Sequence, residues 1–552
     1  MNKTARVSAF ADVFAAFMAE RSGFGGGDRE ELATVCSSLI TLMQDGHTCL
    51  NLDKNQEKRL LRCPLVSEQE DSPLVIAGGR LYLSRYFMYE RQLAQKIAGL
   101  ASVSYSIDNL DDLLGRCFPA VEEEQDLQRE AARVALSKGL CIISGGPGTG
   151  KTTTVVKIAA LLLAYYGPSC RIALSAPTGK AAMRLKESVA AQIPLLPLED
   201  TIKEILPREA QTLHRLLGAR RHSPSFIHNR KRLLPWDAVI VDEASMVDVA
   251  LMSKLVEALS AGTRLVLLGD KDQLASVESG AVLSECMRIL RKNVVELQVA
   301  HRFNAEISAL AGTIKNGNKD ALARILEDSN SPSVEKAAGD WLAACADRYE
   351  RYFRQVRVVD GKEGLPALFR LFNSFRILCA LRNGPSGVVG LNEKIERILS
   401  ARGFACEKDT WYPGRPVIVT RNDYNLGLYN GDIGICLPES IGSQAFSVWF
   451  ETEAGVFRRF MPVRLPPHET AWALTIHKSQ GSEFSEIAVV LPEHDQQVLG
   501  RELLYTAVTR AREKVIIRDP ASLCGHIVSR LTERGSGLAE QLQCYYEDGD
   551  SG

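Results

Sequence analysis

The sequence predicts a multidomain α/β protein built on two parallel sheets, and three observations lead to that prediction. Its 552 residues are too many for one hydrophobic core. From about residue 116 to 300, and again from about 301 to 545, short apolar runs alternate with helical patterns, which is typical of parallel sheets. Near residues 408–466 the second pattern is interrupted by short strands and turn residues, which predicts a small inserted β-barrel. Three or four domains are therefore expected.

The composition narrows the class of protein. The chain is 45% hydrophobic and 24% charged, as in ordinary globular proteins. Its net charge is −1, so any contact with nucleic acid has to come from local basic patches. The 13 cysteines include no C-x-x-C pair, which argues against a zinc ribbon and favours reduced thiols. The longest apolar stretch is too short for a bilayer and no signal peptide is evident, so a cytoplasmic location is expected.

Residues 145–152, with the sequence GGPGTGKT, form the most specific motif. They fit G-x-x-x-x-G-K-[ST], follow a predicted strand and precede a helix predicted over residues 153–166. Glycines let the backbone N–H groups point at a polyphosphate, Lys151 would reach its β- and γ-phosphates, and the Thr152 hydroxyl would ligate Mg²⁺. We expect the chain to bind and hydrolyse a nucleoside triphosphate. The predicted nucleotide contacts are Gly145, Gly146, Pro147, Gly148, Thr149, Gly150, Lys151, Thr152 and Thr153.

Two carboxylates end a later apolar strand, at Asp242 and Glu243. Successive strand residues point in different directions, so the two acids can take separate roles. Asp242 can hold Mg²⁺, while Glu243 can orient and deprotonate the attacking water. Just past the next predicted strand, Gln273 is placed to sense the γ-phosphate, with an ordinary turn residue as the alternative.

Two arginines in the second α/β half, Arg302 and Arg510, are candidates for an arginine finger. If the two halves face each other, these side chains would meet a phosphate held by the first half. Such a finger is worth about 10³–10⁵ in rate. The alternative is an ordinary solvated arginine on a helix.

Other features leave alternatives open. Thr178 and the segment 475–484 suit either a nucleic-acid phosphate or a plain helix cap. The cation-rich segment 220–232 is either a solvated loop or a protruding element that touches a phosphate backbone. Residues 1–115 carry helical patterns and a hairpin at 74–83, and form either a packing domain or a docking module.

In this order, the motifs resemble superfamily 1 helicases of the 5′→3′ branch, and among them the RecD family, the alpha subunits of exodeoxyribonuclease V. The likeness lies in residues 145–152, 176–182, 242–245, 269–274, 301–303, 475–484 and 503–512, and further in 45–50, 78–90, 388–392, 414–424 and 431–434. It implies two RecA-like P-loop NTPase domains, a mainly helical N-terminal partner-docking domain and an inserted SH3-like β-barrel. The implied ranges are 1–115 for docking, 116–300 and 301–552 for the two RecA-like domains, about 219–235 for a strand-separating insertion and about 408–466 for the SH3-like one.

The resemblance also implies roles for single residues. Gln128 would read adenine, although Leu127 stands where many relatives have an aromatic residue. Glu483 would contact the ribose. The implied hydrolysis positions are Lys151, Thr152, Asp242, Glu243, Gln273, Arg302 and Arg510. The implied contacts to single-stranded DNA are Thr178, Thr212, His214, Thr475 and Lys478.

The function implied by the resemblance is an ATP- and Mg²⁺-dependent 5′→3′ DNA helicase. It would act on DNA ends as the motor of a heterotrimer with RecB-type and RecC-type subunits, in double-strand-break repair and homologous recombination. No D-Y-K-like tripeptide is evident, so no nuclease site is expected in this chain. A free-standing RecD-like helicase is the nearest alternative, and relatives that work alone tend to carry a longer N-terminal extension. A DNA-gripping subunit with a dispensable ATPase and a P-loop kinase are more distant alternatives.

Overall fold

The computed structural model describes residues 3–118, 126–220, 223–276, 279–298, 304–359, 362–404, 411–423, 425–440, 443, 445–453, 455–532 and 534–550, except the side chains of 3–8, 453 and 548–550. Two of its four sheets are entirely parallel, and they lie within residues 140–297 and 334–518. The prediction of a mixed α/β fold with parallel sheets is therefore confirmed. None of the described helices is long and apolar enough to cross a bilayer. The described cysteines form no disulfide.

The N-terminal region combines helices with a four-stranded sheet of order β1-β4-β3-β2. Its helices are α1 (Lys3–Arg21), α2 (Gly26–Gln44), α3 (Lys54–Leu60), α4 (Ser84–Ser102) and α5 (Leu110–Gly115), and its strands are β1 (Cys49–Asn51), β2 (Val66–Ser67), β3 (Leu74–Ala77) and β4 (Arg80–Leu83). Helix α2 buries Leu32, Val35, Cys36 and Leu39, whose spacing of three and four residues keeps them on one face. That face packs against α1 and the sheet, and together these elements form a separate small core.

The first α/β lobe has a six-stranded parallel sheet of order β10-β5-β9-β8-β6-β7. Its strands are β5 (Leu140–Gly145), β6 (Ile172–Ala176), β7 (Ala210–Thr212), β8 (Ala238–Val241), β9 (Arg264–Gly269) and β10 (Val294–Leu297). Its helices are α6 (Leu127–Ser137), α7 (Lys151–Tyr166), α8 (Gly179–Gln192), α9 (Asp200–Ile205), α10 (Leu213–Leu217), α11 (Val249–Glu257) and α12 (Val282–Ile289), with short 3₁₀ turns at Ile193–Leu195, Ala244–Met246 and Arg291–Asn293.

The sheet order decides where the motifs of the first lobe meet. Strands β5, β9 and β8 are neighbours, and every residue in them is buried, which is why they read as continuous apolar runs. Their carboxyl ends therefore lie side by side at one edge. In open α/β sheets, that edge is where ligands bind.

The second lobe has a five-stranded parallel sheet of order β11-β20-β19-β12-β18 and an inserted antiparallel sheet of order β16-β15-β14-β13-β17. The strands are β11 (Val334–Lys336), β12 (Phe375–Cys379), β13 (Pro416–Val419), β14 (Ile433–Pro438), β15 (Phe446–Glu453), β16 (Val456–Phe460), β17 (His468–Thr470), β18 (Ala473–Thr475), β19 (Phe484–Val490) and β20 (Ala511–Arg518). The helices of this half are α13 (Ala305–Lys315), α14 (Lys319–Glu327), α15 (Trp341–Val356), α16 (Leu365–Phe372), α17 (Val388–Ala401), α18 (Arg501–Val508), α19 (Cys524–Ser529) and α20 (Leu538–Asp550), with 3₁₀ turns at Pro462–Arg464 and His477–Ser479. The inserted sheet reaches slightly beyond residue 466, because β17 pairs with β13.

Helix α20 leaves the second lobe and packs against α4 of the N-terminal region and α12 of the first lobe. At this junction the carboxylate of Glu90 is fully buried. It accepts hydrogen bonds from the hydroxyls of Thr48 and Ser536 and from the backbone N–H of Gly537. The segment at 534–550 thus connects three parts of the chain that are distant in sequence.

Candidate nucleotide cleft and nucleic-acid-facing residues

The loop between β5 and α7 holds the residues predicted to bind phosphate. Gly148 and Gly150 have φ values of +82° and +83°, which L side chains rarely adopt. The Thr149 hydroxyl donates to the carbonyl of Gly146 at 2.9 Å and closes the loop. Helix α7 then begins at Lys151, so its first backbone N–H groups lie at the end of the loop, where a helix favours an anion.

The ammonium of Lys151 lies over this loop. Its Nζ donates to the carbonyl oxygens of Gly145 and Gly146, at 3.0 Å in the second case. The positive charge also lowers the pKa of the buried carboxyls of Asp242 and Asp270, against the larger effect of burial. The lysine is therefore electrostatically coupled to the carboxyl ends of strands β8 and β9.

The two acids after β8 take different orientations because the backbone turns sharply between them. Asp242 Oδ1 accepts the backbone N–H of Glu243 at 2.8 Å, and Glu243 has a left-handed φ of +52°. Such a conformation costs on the order of 1–3 kcal/mol and often marks a functional site. Burial raises the pKa of Asp242, and the repulsion of Glu243 raises it further. A divalent cation beside Asp242 and the Thr152 hydroxyl would relieve that repulsion, so this donor set fits Mg²⁺.

A chain of hydrogen bonds joins the two lobes at the cleft. Arg510, between α18 and β20, donates from Nη2 to Gln273 Oε1 at 2.7 Å, and Gln273 donates from Nε2 to Asp270 Oδ2 at 2.9 Å. Arg510 is only 3% exposed, and its Nε donates to the Thr506 carbonyl at 3.0 Å. The structure thus brings Arg510 to the first lobe, and Gln273 bridges the two lobes.

One cleft collects most of the predicted residues. Its first-lobe wall includes Lys151, Thr152, Asp242, Glu243 and Gln273, and the second lobe supplies Gly481, Glu483 and Arg510. Pro147, Gly148, Gly150 and Thr153 complete the loop side, whereas Gly145, Gly146 and Thr149 line the neighbouring cavity on the other side of the loop.

Arg184 also lines the cleft, and the sequence analysis missed it. It lies on α8, within the helix that Thr178 begins, but nothing in the local sequence distinguishes it from a solvated helical arginine. Burial lowers the pKa of its guanidinium, while the charges of Glu483 and Glu243 oppose that shift. The Glu483 carboxylate is itself paired with Arg512 Nη2 at 2.6 Å, a second contact that was not predicted.

Two further residues of α18 join the lobes without having been predicted. The Tyr505 hydroxyl donates to Asp270 Oδ2 at 3.2 Å, and the Thr506 hydroxyl accepts the backbone N–H of Leu274 at 2.8 Å. Gln480 Nε2 donates to the carbonyl of the same leucine at 3.1 Å. The segment just after β9 is therefore held by several side chains of the second lobe, these three and Arg510 among them.

The remaining predicted nucleotide residues lie as follows. The Gln128 side-chain amide stands so close to Gly150 that a Cβ there would collide with it. Its position in the first turn of α6 is fixed by Asp126, whose carboxylate caps that helix. Arg302 lies outside the described residues.

The predicted DNA contacts lie outside the nucleotide cleft. Thr178 caps α8 by accepting from Ala181 N at 3.2 Å, and Thr212 caps α10 by accepting from Arg215 N at 3.2 Å. Since Thr212 pairs with Ala176 in the parallel β6–β7 ladder, the two caps share one edge of the sheet. Thr178 therefore does cap a helix, as its alternative interpretation had it, and Thr212 is a further helix cap; both lie at the edge of the sheet where ligands bind in such folds.

The other three candidates occupy different surroundings. The His214 ring meets the Phe226 ring edge-on, with centroids 5.7 Å apart. On the second lobe, the Thr475 hydroxyl accepts from Lys478 N at 3.2 Å, and Lys478 Nζ lies 3.6 Å from Glu469 Oε2.

The chain matches two protein-family models and is similar to several known proteins. A model described as an AAA domain matches residues 128–279, and one described as a UvrD-like helicase C-terminal domain matches residues 470–517. The chain is 42% identical over 479 residues to the RecBCD enzyme subunit RecD of Mycolicibacterium smegmatis, with 85% of this chain and 83% of that protein covered. It is 31% identical over 608 residues to the protein of the same name from Haemophilus influenzae, with 93% of each covered.

Two further proteins are more distantly similar to this chain. The ATP-dependent RecD2 DNA helicase of Deinococcus radiodurans is 30% identical over 495 residues, with 86% of this chain and 61% of that protein covered. A solved structure described as Bacteroides Pif1 bound to ssDNA has a TM-score of 0.42 and 17% identity, with 78% of this chain and 98% of that one covered.

Proposed function

The chain belongs to the RecD family of superfamily 1 DNA helicases, and from that premise we propose that it is the ATP-driven motor subunit of a RecBCD-type helicase–nuclease. The observation that carries the proposal is the cleft in which a hydrogen bond from Arg510 to Gln273 joins the second lobe to the first, with the phosphate loop lining the same cleft. Its substrates are ATP and DNA ends, in double-strand-break repair and homologous recombination. The nuclease activity of such a complex belongs to another subunit.

The residues of the cleft have separable roles in ATP hydrolysis. The N-terminus of α7 and Lys151 hold the triphosphate, and Thr152 and Asp242 hold Mg²⁺. Mg²⁺ held there would neutralise negative charge on the triphosphate. Glu243 orients the attacking water and accepts its proton, and Arg510 stabilises charge on the transferred phosphoryl group. Arg302 is proposed as a second arginine at the γ-phosphate, Gln128 as the adenine contact and Glu483 as the ribose contact.

Hydrolysis is coupled to movement through the bridge between the lobes. Gln273 contacts both Asp270 at the end of β9 and Arg510, so a change at the γ-phosphate alters the relation of the two lobes. The contacts proposed for single-stranded DNA are divided between the lobes: Thr178, Thr212 and His214 on the first, Thr475 and Lys478 on the second. Alternating grip by these two groups would advance the protein along one strand, with the 5′→3′ direction taken from the family.

The remaining parts of the chain take supporting roles in this proposal. The parallel-sheet lobes at 116–300 and 301–552 are RecA-like domains, the antiparallel sheet near 408–466 is an SH3-like barrel, and the insertion near 219–235 separates the strands. Residues 1–115 dock the chain onto RecB-type and RecC-type partners in a heterotrimer. An apolar stripe on α1 supports that docking role, since Phe10, Val13 and Phe17 are 58%, 67% and 49% exposed at helical spacing.

The test is a strand-polarity unwinding assay on the purified chain, with and without RecB-type and RecC-type subunits. With the partner subunits present, we expect this chain to drive ATP-dependent unwinding from a 5′ single-stranded tail and not from a 3′ tail. Lys151→Gln should abolish the ATPase activity of this chain, while Lys96→Gln, an exposed lysine on α4, should leave it unchanged. Full activity of Lys151→Gln would refute the site assignment. Robust unwinding by the isolated chain would instead favour a free-standing RecD-like helicase.

A further inference from the structure

A second pocket lies between helix α4 of the N-terminal region and the insertion near 219–235. Its volume is about 430 Å³, within the range of small-molecule sites. Its walls include the side chains of Arg85, Tyr89, Phe226, Arg230, Lys231 and Lys254. None of these residues belongs to the nucleotide cleft, and the proposed ATPase cycle does not use them.

Lys254, on α11, organises the pocket. Its Nζ lies 5.6 Å from the centroid of the Tyr89 ring and 5.4 Å from that of the Phe226 ring, within the range of cation–π attraction. The same ammonium donates to the carbonyl of Pro224 at 3.3 Å. One cation thus holds two half-buried aromatic rings, from different parts of the chain, around one cavity.

The charge of the pocket is strongly positive. Four cationic side chains line it against one carboxylate, Glu257. Arg85, Arg230 and Lys231 are exposed, and within the described part of the chain none of the three makes an ion pair. Exposed cations beside aromatic rings are the combination that binds a nucleotide unit of a single strand, because phosphates meet the cations and bases stack on the rings.

A single side chain, Phe226, lies between the pocket and the proposed DNA path. Phe226 lines the pocket and also contacts the ring of His214, at 5.7 Å between centroids. The base of the insertion is tied to α10, since the backbone N–H groups of Ile227 and His228 donate to Gly218 and Leu217, each at 2.9 Å. Phe226 therefore has a fixed position between the two sites.

We propose that this pocket binds single-stranded DNA, with a base against Tyr89 or Phe226 and the flanking phosphates on Arg85 and Arg230. The inference rests on the proposed helicase function and extends it to a contact surface shared by the N-terminal region and the insertion. The bound nucleotide comes either from the strand on which the motor moves or from the displaced strand. The recognition chemistry is the same in both cases.

The test uses the full-length chain and a forked DNA substrate, with binding followed by fluorescence anisotropy over a range of salt concentrations. Tyr89→Leu removes a stacking surface, so we expect affinity to fall by about 5- to 150-fold. The pair Arg85→Ala and Arg230→Ala removes two phosphate contacts, so the slope of log K against log salt should become shallower by about 1.4. Arg62→Ala, an exposed arginine of the same N-terminal region, serves as the matched control and should leave the slope unchanged.

A photo-crosslinking arm identifies the strand. Two fork substrates are compared, one with 5-iodouracil in the 5′ arm and one with it in the 3′ arm. Only one of them should crosslink to Tyr89 or Phe226, and the arm that does so identifies the strand that supplies the bound nucleotide.

If affinity and salt slope are unchanged in Tyr89→Leu and in the double arginine variant, the proposal is overturned. A pocket that binds an acidic segment of a partner protein would give this result. If the wild-type chain shows DNA-stimulated ATPase activity in that case, only the pocket assignment fails. If the wild-type chain neither binds the fork nor responds to it, the proposed helicase function fails as well.

Discussion

The guanidinium of Arg510 lies 2.7 Å from the side-chain oxygen of Gln273, and the two residues are 237 positions apart in the chain. One hydrogen bond thus connects the end of helix α18 in the second lobe to the segment after β9 in the first. Since Gln273 also donates to Asp270, the bridge ends beside the phosphate loop.

Replacing Arg510 with alanine should reduce ATP turnover at least about a hundredfold while DNA binding is retained. The lost side chain would no longer stabilise the charge of the transition state, and fingers of this kind are worth about 10³–10⁵ in rate. Steady-state ATPase assays with saturating DNA measure the effect. Arg518→Ala, at the end of β20, is the control and should be near wild type. Unchanged turnover in Arg510→Ala would exclude the finger role.

Gln273→Ala and Arg510→Ala should be strongly non-additive, because each removes one end of the same hydrogen bond. A double-mutant cycle on kcat/KM for ATP should give a coupling free energy of about 0.5–3 kcal/mol. Losses that simply multiply in the double variant would mean that the two side chains act independently, in spite of their contact.

Gly150→Ala should weaken ATP binding by about tenfold or more. A Cβ at this position would collide with the Gln128 side-chain amide, and the φ of +83° is unfavourable for alanine. Gly262→Ala is a matched control, since its φ is +87° but nothing lies within 4 Å of the added carbon. Both variants carry similar backbone strain, but Gly262 lies outside the phosphate loop, so this control excludes only a general effect of such strain on the protein. Equal ATP affinities in fluorescent-nucleotide titrations would count against this explanation.

Arg184→Gln should raise the KM for ATP several-fold with little change in thermal stability. The residue lines the cleft, and the charges of Glu483 and Glu243 that act on it would be left less compensated. Isothermal titration with a non-hydrolysable ATP analogue would measure the affinity directly. Arg288→Gln, on α12, offers a control outside the cleft. An affinity equal to that of the wild type would show that the guanidinium only supports the wall of the cleft.

The stability of the C-terminal junction should depend on pH through Glu285. The pKa of this carboxyl is raised from 4.5 to about 8, mainly by burial and also by the charge of Glu90 on α4. The Ser536 hydroxyl and Arg288 lower it, and Glu540 on α20 raises it. Because the folded-state pKa is the higher one, the stabilising contribution is complete below about pH 4.5 and is lost as the pH rises through about 8.

The measurement is thermal denaturation between pH 6 and pH 9. We expect the wild-type Tm to fall over this interval, and we expect Glu285→Gln to flatten the fall, since an amide has no proton to lose. Glu30→Gln, exposed on α2, should keep the wild-type slope. An identical slope in Glu285→Gln would assign the pH dependence to other groups.

The sequence was sufficient for those parts of the fold that depend on local pattern. The buried strands β5, β8 and β9 read as apolar runs, and the phosphate loop and the acids after β8 follow from short motifs whose order along the chain sets their positions. Because parallel strands end at one edge, the meeting of Lys151 with Asp242 could be predicted as well.

The parts that escaped prediction depend on contacts between distant segments. Nothing near Arg184 or Arg512 indicates that one lines the cleft and the other pairs with Glu483, since an arginine on a helix or at a strand end is usually solvated. The hydrogen bonds of Tyr505 and Thr506 join residues more than two hundred positions apart, so no periodicity within either segment can reveal them. The left-handed conformation of Glu243 is likewise set by the surrounding fold, because a non-glycine residue rarely adopts it locally.

The junction at Glu90 has a consequence for the biosynthesis of the protein. The backbone N–H of Gly537 that helps to satisfy this carboxylate is 447 residues further along the chain. A ribosome therefore produces α4 long before the helix that covers it, and during translation this acid has to stay hydrated. A premature stop before residue 534 would yield a polypeptide that retains both ATPase lobes. In it, the Glu90 carboxylate would lack the hydrogen bonds that the C-terminal segment supplies.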